Sequence, residues 1–101
     1  MTARAKILVV DDEQSVREMT TILLRRHGYE VTTASSGTKA TELIRAGDGF
    51  DLVVTDLLMD RGTGIDVLEA AKARDSHSEV ILITAYGTTE SAVEAMKKGA
   101  F

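Results

Sequence analysis

The chain contains no cysteine. That excludes disulfides and thiolate metal sites, and it fits a cytoplasmic protein. Proline is absent as well, so no loop is stiffened by a fixed φ. Long apolar runs are missing: the longest have about four residues, against the roughly 20 that span a bilayer. Arg4 and Lys6 precede one such run, but Asp11, Asp12 and Glu13 follow at once. A signal peptide needs a longer apolar region, so no membrane partner is expected. There is no basic excess either. The net charge of −4 argues against direct contact with nucleic acid, whose phosphates want a basic patch.

What is present is an ordinary globular composition. The chain has 101 residues, 44 % of them apolar and 28 % charged. This is enough for one small domain, residues 1–101, around one core.

The apolar period switches repeatedly. Ile7 to Val10 is a short continuous run, as in a strand buried on both faces. Val16, Met19, Thr20, Leu23, Leu24 and His27 then recur at helical spacing, and Gly28 is a stop. Tyr29 to Ala34 is rich in β-branched residues and predicts a second strand. Ser36-Gly37 opens a helix carrying Ala40, Leu43 and Ile44, closed near Gly47. Phe50 to Thr55 predicts a third strand, and Asp60 to Gly64 a loop with two glycines. Ile65, Leu68 and Ala71 mark a third helix, fraying near Asp75-Ser76. Glu79 to Thr84 predicts a fourth strand. Thr88 or Thr89 caps a fourth helix that ends at Gly99.

Four βα units in succession imply parallel strands joined by right-handed crossovers, with helices on both faces. The fold class expected is an open, doubly wound parallel sheet of flavodoxin-like type. Such sheets bind ligands outside the carboxyl ends of the strands, where strand order reverses. In the order 2-1-3-4 that point lies between strands 1 and 3. Asp11 and Asp12 end the first of these and Asp56 ends the other. Two carboxylates about 4 Å apart repel by roughly 4 kcal/mol at an effective dielectric near 20. Such a cluster implies a cation to offset it, and oxygen-only ligands imply a hard one such as Mg²⁺.

At these residues the sequence resembles the receiver domain of bacterial two-component response regulators. The matching stretches are Val9 to Glu13, Val54 to Met59 with Gly64 beyond, and Thr84-Ala85-Tyr86-Gly87. The closing run from Thr88 to Phe101 resembles the sigma-54-dependent activator subgroup. The resemblance covers the whole chain in order. It implies that Asp56 is the phosphoacceptor, taking its phosphoryl group from the phosphohistidine of a sensor histidine kinase. It implies that Asp11, Asp12, Asp56 and the backbone carbonyl of Leu58 hold Mg²⁺. Thr84 would hydrogen-bond a phosphoryl oxygen. Tyr86 would be the switch aromatic that follows it inward, repacking the fourth helix. The domain would phosphorylate and dephosphorylate itself without turning over a substrate. It would control an output domain, transcriptional in this subgroup, in a longer protein.

The departures matter too. The family usually has proline after Met59, where this chain has Asp60 and then Arg61. A receiver normally continues with a fifth strand, bearing a lysine that pairs with the phosphate, and a fifth helix. That fifth βα unit is missing from the sequence. Lys97 and Lys98, on the preceding helix, do not replace the lysine. In a form truncated here, Val80 to Ile83 becomes an edge strand, which predicts self-association as a homodimer or a swapped dimer.

Plainer readings exist for each feature. Asp11, Asp12 and Glu13 alone fit acids at a helix start. Thr84 alone fits a strand-end hydroxyl, and Tyr86 a rim aromatic. Met19 and Met96 fit core filler. His27 and His77 lack metal-ligand company and fit solvated helix ends. Arg25-Arg26 and Lys97-Lys98 fit dipole-favoured helix ends. Gly62 and Gly64 make no phosphate-binding fingerprint. Two other functions compete. A haloacid-dehalogenase-type phosphatase needs a second aspartate two residues after the first, and that position is Leu58. An interaction module that has lost phosphotransfer is favoured by the missing lysine and by Asp60.

Overall fold

A computed structural model describes residues 5–47, 49–56, 63–75 and 77–83. In chain order the elements are β1 (Lys6–Val10), α1 (Gln14–Arg26), β2 (Glu30–Ala34), α2 (Gly37–Arg45), β3 (Leu52–Asp56), α3 (Gly64–Arg74) and β4 (Glu79–Ile83). The expected fourth helix, Leu58, Asp60, Arg61, Gly62, Thr84, Tyr86 and Met96 lie outside the described residues.

The strands form one parallel sheet in the order β2-β1-β3-β4. β1 is therefore central, and the connections leave it in opposite directions. β1 is buried on both faces, which explains its unbroken apolar run. Leu8, Val10, Val53 and Val80 face α2 and α3, where they pack with Ala40, Ile44, Val67, Leu68 and Ala71. Ile7, Val9 and Val31 face the other way, towards Leu24 of α1.

Local chemistry sets the element ends. Gly28 has φ +87°, a region that L side chains rarely adopt. It closes α1 with two bonds, from the Gly28 amide to the Arg25 carbonyl and from the Tyr29 amide to the Leu24 carbonyl. The Ser36 hydroxyl caps α2 by accepting from the Lys39 amide at 3.1 Å. α3 begins at Gly64, inside the expected loop. Thr63 and Asp66 form a reciprocal capping box of 3.2 and 3.1 Å, which overrides the weak propensity of the glycine. Thr63→Ala is expected to cost about 1 kcal/mol, read as a lower urea midpoint with unchanged slope.

Two expectations need correction. Met19 is not core filler: it is 70 % exposed. The seam of α1 that faces the sheet runs through Arg17, Thr21 and Leu24, at i, i+4 and i+7. That seam leaves Val16, Met19 and Leu23 turned outward. β3 starts at Leu52, two residues later than expected. Phe50 is buried, and its carbonyl accepts from the Ser78 hydroxyl at 2.7 Å instead of joining the ladder. Asp51 is also occupied there, its carboxylate accepting from the Lys6 amide at 2.8 Å. Arg25 is exposed as expected, but it also donates to the Val31 carbonyl at 3.2 Å.

Candidate functional site

Strand register builds the site. Val10 of β1 pairs with Thr55 of β3, so the residues that follow, Asp11 and Asp56, come side by side at the carboxyl ends of the two strands. Asp56 itself pairs with Ile83 of β4. Carboxylate oxygens of Asp11, Asp12 and Asp56 all lie within 4.8 Å of one another. Asp11 and Asp56 are half-buried and Asp12 is exposed. Sequence and structure thus agree on which three carboxylates meet, at the carboxyl end of the sheet where strand order reverses.

The electrostatics follow from the distance. At 4.8 Å, an effective dielectric near 20 gives about 3 kcal/mol of repulsion between the two half-buried carboxylates. Solvent weakens the contribution of Asp12. Hard oxygen donors of this kind and number suit Mg²⁺, which takes carboxylates and keeps much of its water. The three residues present therefore fit such an ion.

Several bonds hold the β1–α1 turn. The Asp11 amide donates to the Ala34 carbonyl at 3.2 Å. The Asp11 Oδ1 accepts from the Glu13 amide at 2.9 Å, which fixes the rotamer of that carboxylate. The Arg17 Nη1 donates to the Asp11 carbonyl at 2.7 Å. Across the pocket, the buried Thr55 hydroxyl donates to the Asp56 carbonyl at 3.0 Å. The plainer reading of acids at a helix start fits Glu13, which is the N-cap of α1, although its side chain makes no cap bond. Asp11 and Asp12 stand ahead of the helix and meet Asp56. Arg17 carries one signal in the sequence: it is a cation at a helix start, where the dipole disfavours positive charge.

The remaining candidates do not join the site. His77 is 96 % exposed and 3.6 Å from Asp75. A cleft of about 760 Å³ lies between α2 and α3, lined by Thr38, Thr41, Glu42, Arg45, Glu69 and Arg74. It includes none of the three pocket carboxylates. No helix among the described residues is long and apolar enough to cross a membrane.

Comparison with known proteins agrees with this geometry. The family model of the response regulator receiver domain matches residues 7–101. The transcriptional regulatory protein ZraR of Escherichia coli is 45 % identical over 94 residues, which cover 93 % of this chain and 21 % of ZraR. A solved receiver domain protein from Clostridium thermocellum superposes with a TM-score of 0.87 at 40 % identity, covering 96 % of this chain and 78 % of that one. A response regulator from Burkholderia pseudomallei was solved with a phosphorylated aspartic acid, a calcium ion and citrate. It is 26 % identical with a TM-score of 0.86, covering 95 % of this chain and 56 % of that one. The chain spans 21 to 22 % of the length of the first curated relatives it matches.

Proposed function

The chain belongs to the response regulator receiver domains, and from that membership we propose that Asp56 accepts a phosphoryl group from the phosphohistidine of a sensor kinase, beside a bound Mg²⁺. Receivers are signalling domains. The observation that carries the assignment to Asp56 is the meeting of Asp11, Asp12 and Asp56 within 4.8 Å at the ends of β1 and β3. The phosphorylated aspartic acid and calcium ion of the Burkholderia pseudomallei relative support the same reading.

In the proposed reaction a carboxylate oxygen of Asp56 attacks phosphorus. The O–P bond forms as the P–N bond to the imidazole breaks, and the imidazole keeps the electron pair. When bound, the cation offsets charge on the transferring phosphoryl oxygens. Asp11, Asp12 and Asp56 would hold it through carboxylate oxygens, with the Leu58 carbonyl as a further ligand. Asp11, with Oδ1 tied to the Glu13 amide, would offer a fixed ligand beside the exposed Asp12.

Thr84 follows Ile83, the register partner of Asp56, which supports its role in hydrogen-bonding the phosphoryl group. Tyr86 would then be the aromatic that follows Thr84. The output domain would lie in a longer protein, which the greater length of the transcriptional relatives supports. The cytoplasm, where a kinase could reach the site, is the proposed location.

Incubation with a small-molecule phosphodonor tests the reading. The intact mass should show one phosphoryl adduct with Mg²⁺. Chelation should slow its formation roughly 100-fold, equivalent to about 3 kcal/mol of lost charge stabilisation. Equal rates with and without chelator would sink the metal's role.

A further inference from the structure

Arg17 sits in the sheet-facing seam of α1, half-buried, where a charged side chain is unusual. It is also in the first turn and a half of the helix, where a cation opposes the dipole. Neither placement favours arginine for stability alone. Its side chain turns back six residues and donates to the Asp11 carbonyl at 2.7 Å. Its own backbone is pinned at both ends. The Arg17 amide donates to the Glu13 carbonyl at 3.0 Å, and the buried Thr21 hydroxyl donates to the Arg17 carbonyl at 2.7 Å. The guanidinium therefore works from a fixed base.

The Asp11 residue is consequently held at three atoms. Its amide is tied to β2, its Oδ1 to the start of α1, and its carbonyl to Arg17. The second bond closes an Asx turn across the peptide between Asp11 and Asp12, and the third holds the carbonyl of that same peptide from behind, which adds a restraint on the direction in which Asp12 leaves the turn. We propose that Arg17 is the positioning residue of the acidic pocket: through the Asp11 carbonyl it fixes the turn that aims the Asp11 and Asp12 carboxylates at Asp56. This inference rests on the Mg²⁺ reading above. Residues that orient ligands from behind typically matter about 10- to 100-fold in metal affinity.

The sign of the effect separates positioning from charge. A guanidinium acting only as a nearby positive charge competes with the cation, so its removal would tighten Mg²⁺ binding. A guanidinium that positions the ligands does the reverse. Mg²⁺ affinity is to be measured by NMR titration of the backbone amides in wild type, Arg17→Met and Arg17→Lys. Arg17→Met is expected to bind about 10-fold more weakly. Arg17→Lys keeps the charge and a donor, and it should recover part of the loss. With a phosphodonor, Arg17→Met should need about 10-fold more Mg²⁺ for half the maximal rate, with the rate at saturating Mg²⁺ close to wild type. A loss confined to the saturated rate overturns the proposal. If Arg17→Met folds poorly, Arg17→Lys carries the test, and wild-type affinity in both measurements overturns it. A wild type that binds while Arg17→Met binds equally well or more tightly overturns this inference alone. A wild type that binds no Mg²⁺ overturns the metal reading and this inference with it.

Discussion

Asp56→Asn should abolish the Mg²⁺-dependent phosphoryl adduct. Asparagine keeps the shape of the side chain but has no anionic oxygen to attack phosphorus. Asp11 and Asp12 are close enough to share a metal, yet neither is placed as Asp56 is. Asp12 is exposed, and one oxygen of Asp11 is committed to the Glu13 amide. Asp56 ends β3, which lies between β1 and β4 in the sheet. The same substitution has a second consequence of opposite sign. In Mg²⁺-free buffer it removes one charge from a crowded pocket. The repulsion at 4.8 Å, discounted for partial exposure, is worth about 1 kcal/mol. The variant should then melt about 4–8 °C higher than wild type without metal, and Mg²⁺ should raise its midpoint less than that of wild type. A variant that melts lower in both conditions would mean that the cluster is not under electrostatic strain.

Leu8→Ala should give the largest loss of stability. Leu8 is fully buried at the middle of β1, the central strand, between its register partners Thr32 and Val53. Its side chain belongs to the core formed with α2 and α3. Buried Leu→Ala changes typically cost 2–5 kcal/mol, and a site hemmed in by two neighbouring strands cannot collapse easily. A loss of about 3–4 kcal/mol is a large part of the roughly 5–15 kcal/mol available to a small domain. The thermal midpoint should fall by about 12–30 °C, as read by circular dichroism. The acidic turn begins three residues after Leu8, so Mg²⁺ affinity should fall in parallel as the folded fraction declines. A midpoint within about 5 °C of wild type would show that β1 is not the keystone of the core.

Much of this was legible in the chain because burial on both faces leaves a plain mark. Ile7 to Val10 can hardly be anything but an inner strand when turns and helical periods flank it, and Val80 to Ile83 carries a similar apolar run at the end of the described sheet. Three acids at two strand ends then found each other through one topological rule. The misreadings came where two signals overlapped. Val16, Met19 and Leu23 have a helical period, but the face that packs is the one marked by Arg17, Thr21 and Leu24. An arginine and a threonine there do not look like core residues until their hydrogen bonds are seen. Gly62 and Gly64 suggested a loop, although Thr63 and Asp66 carry the spacing of a capping box. The bond from Lys6 to Asp51 depends on strand register, and nothing local announces it.

The most direct test is to identify which carboxylate carries the phosphoryl group. After reaction with a phosphodonor and Mg²⁺, borohydride reduces an acyl phosphate to the alcohol and leaves homoserine in place of aspartate. Sequencing of the peptide that follows Arg45 by mass spectrometry should place homoserine at Asp56, with Asp48, Asp51 and Asp60 of the same peptide unchanged. Homoserine at Asp11 or Asp12, or at no residue of a chain that carries the adduct, would contradict the assignment of Asp56 as the acceptor.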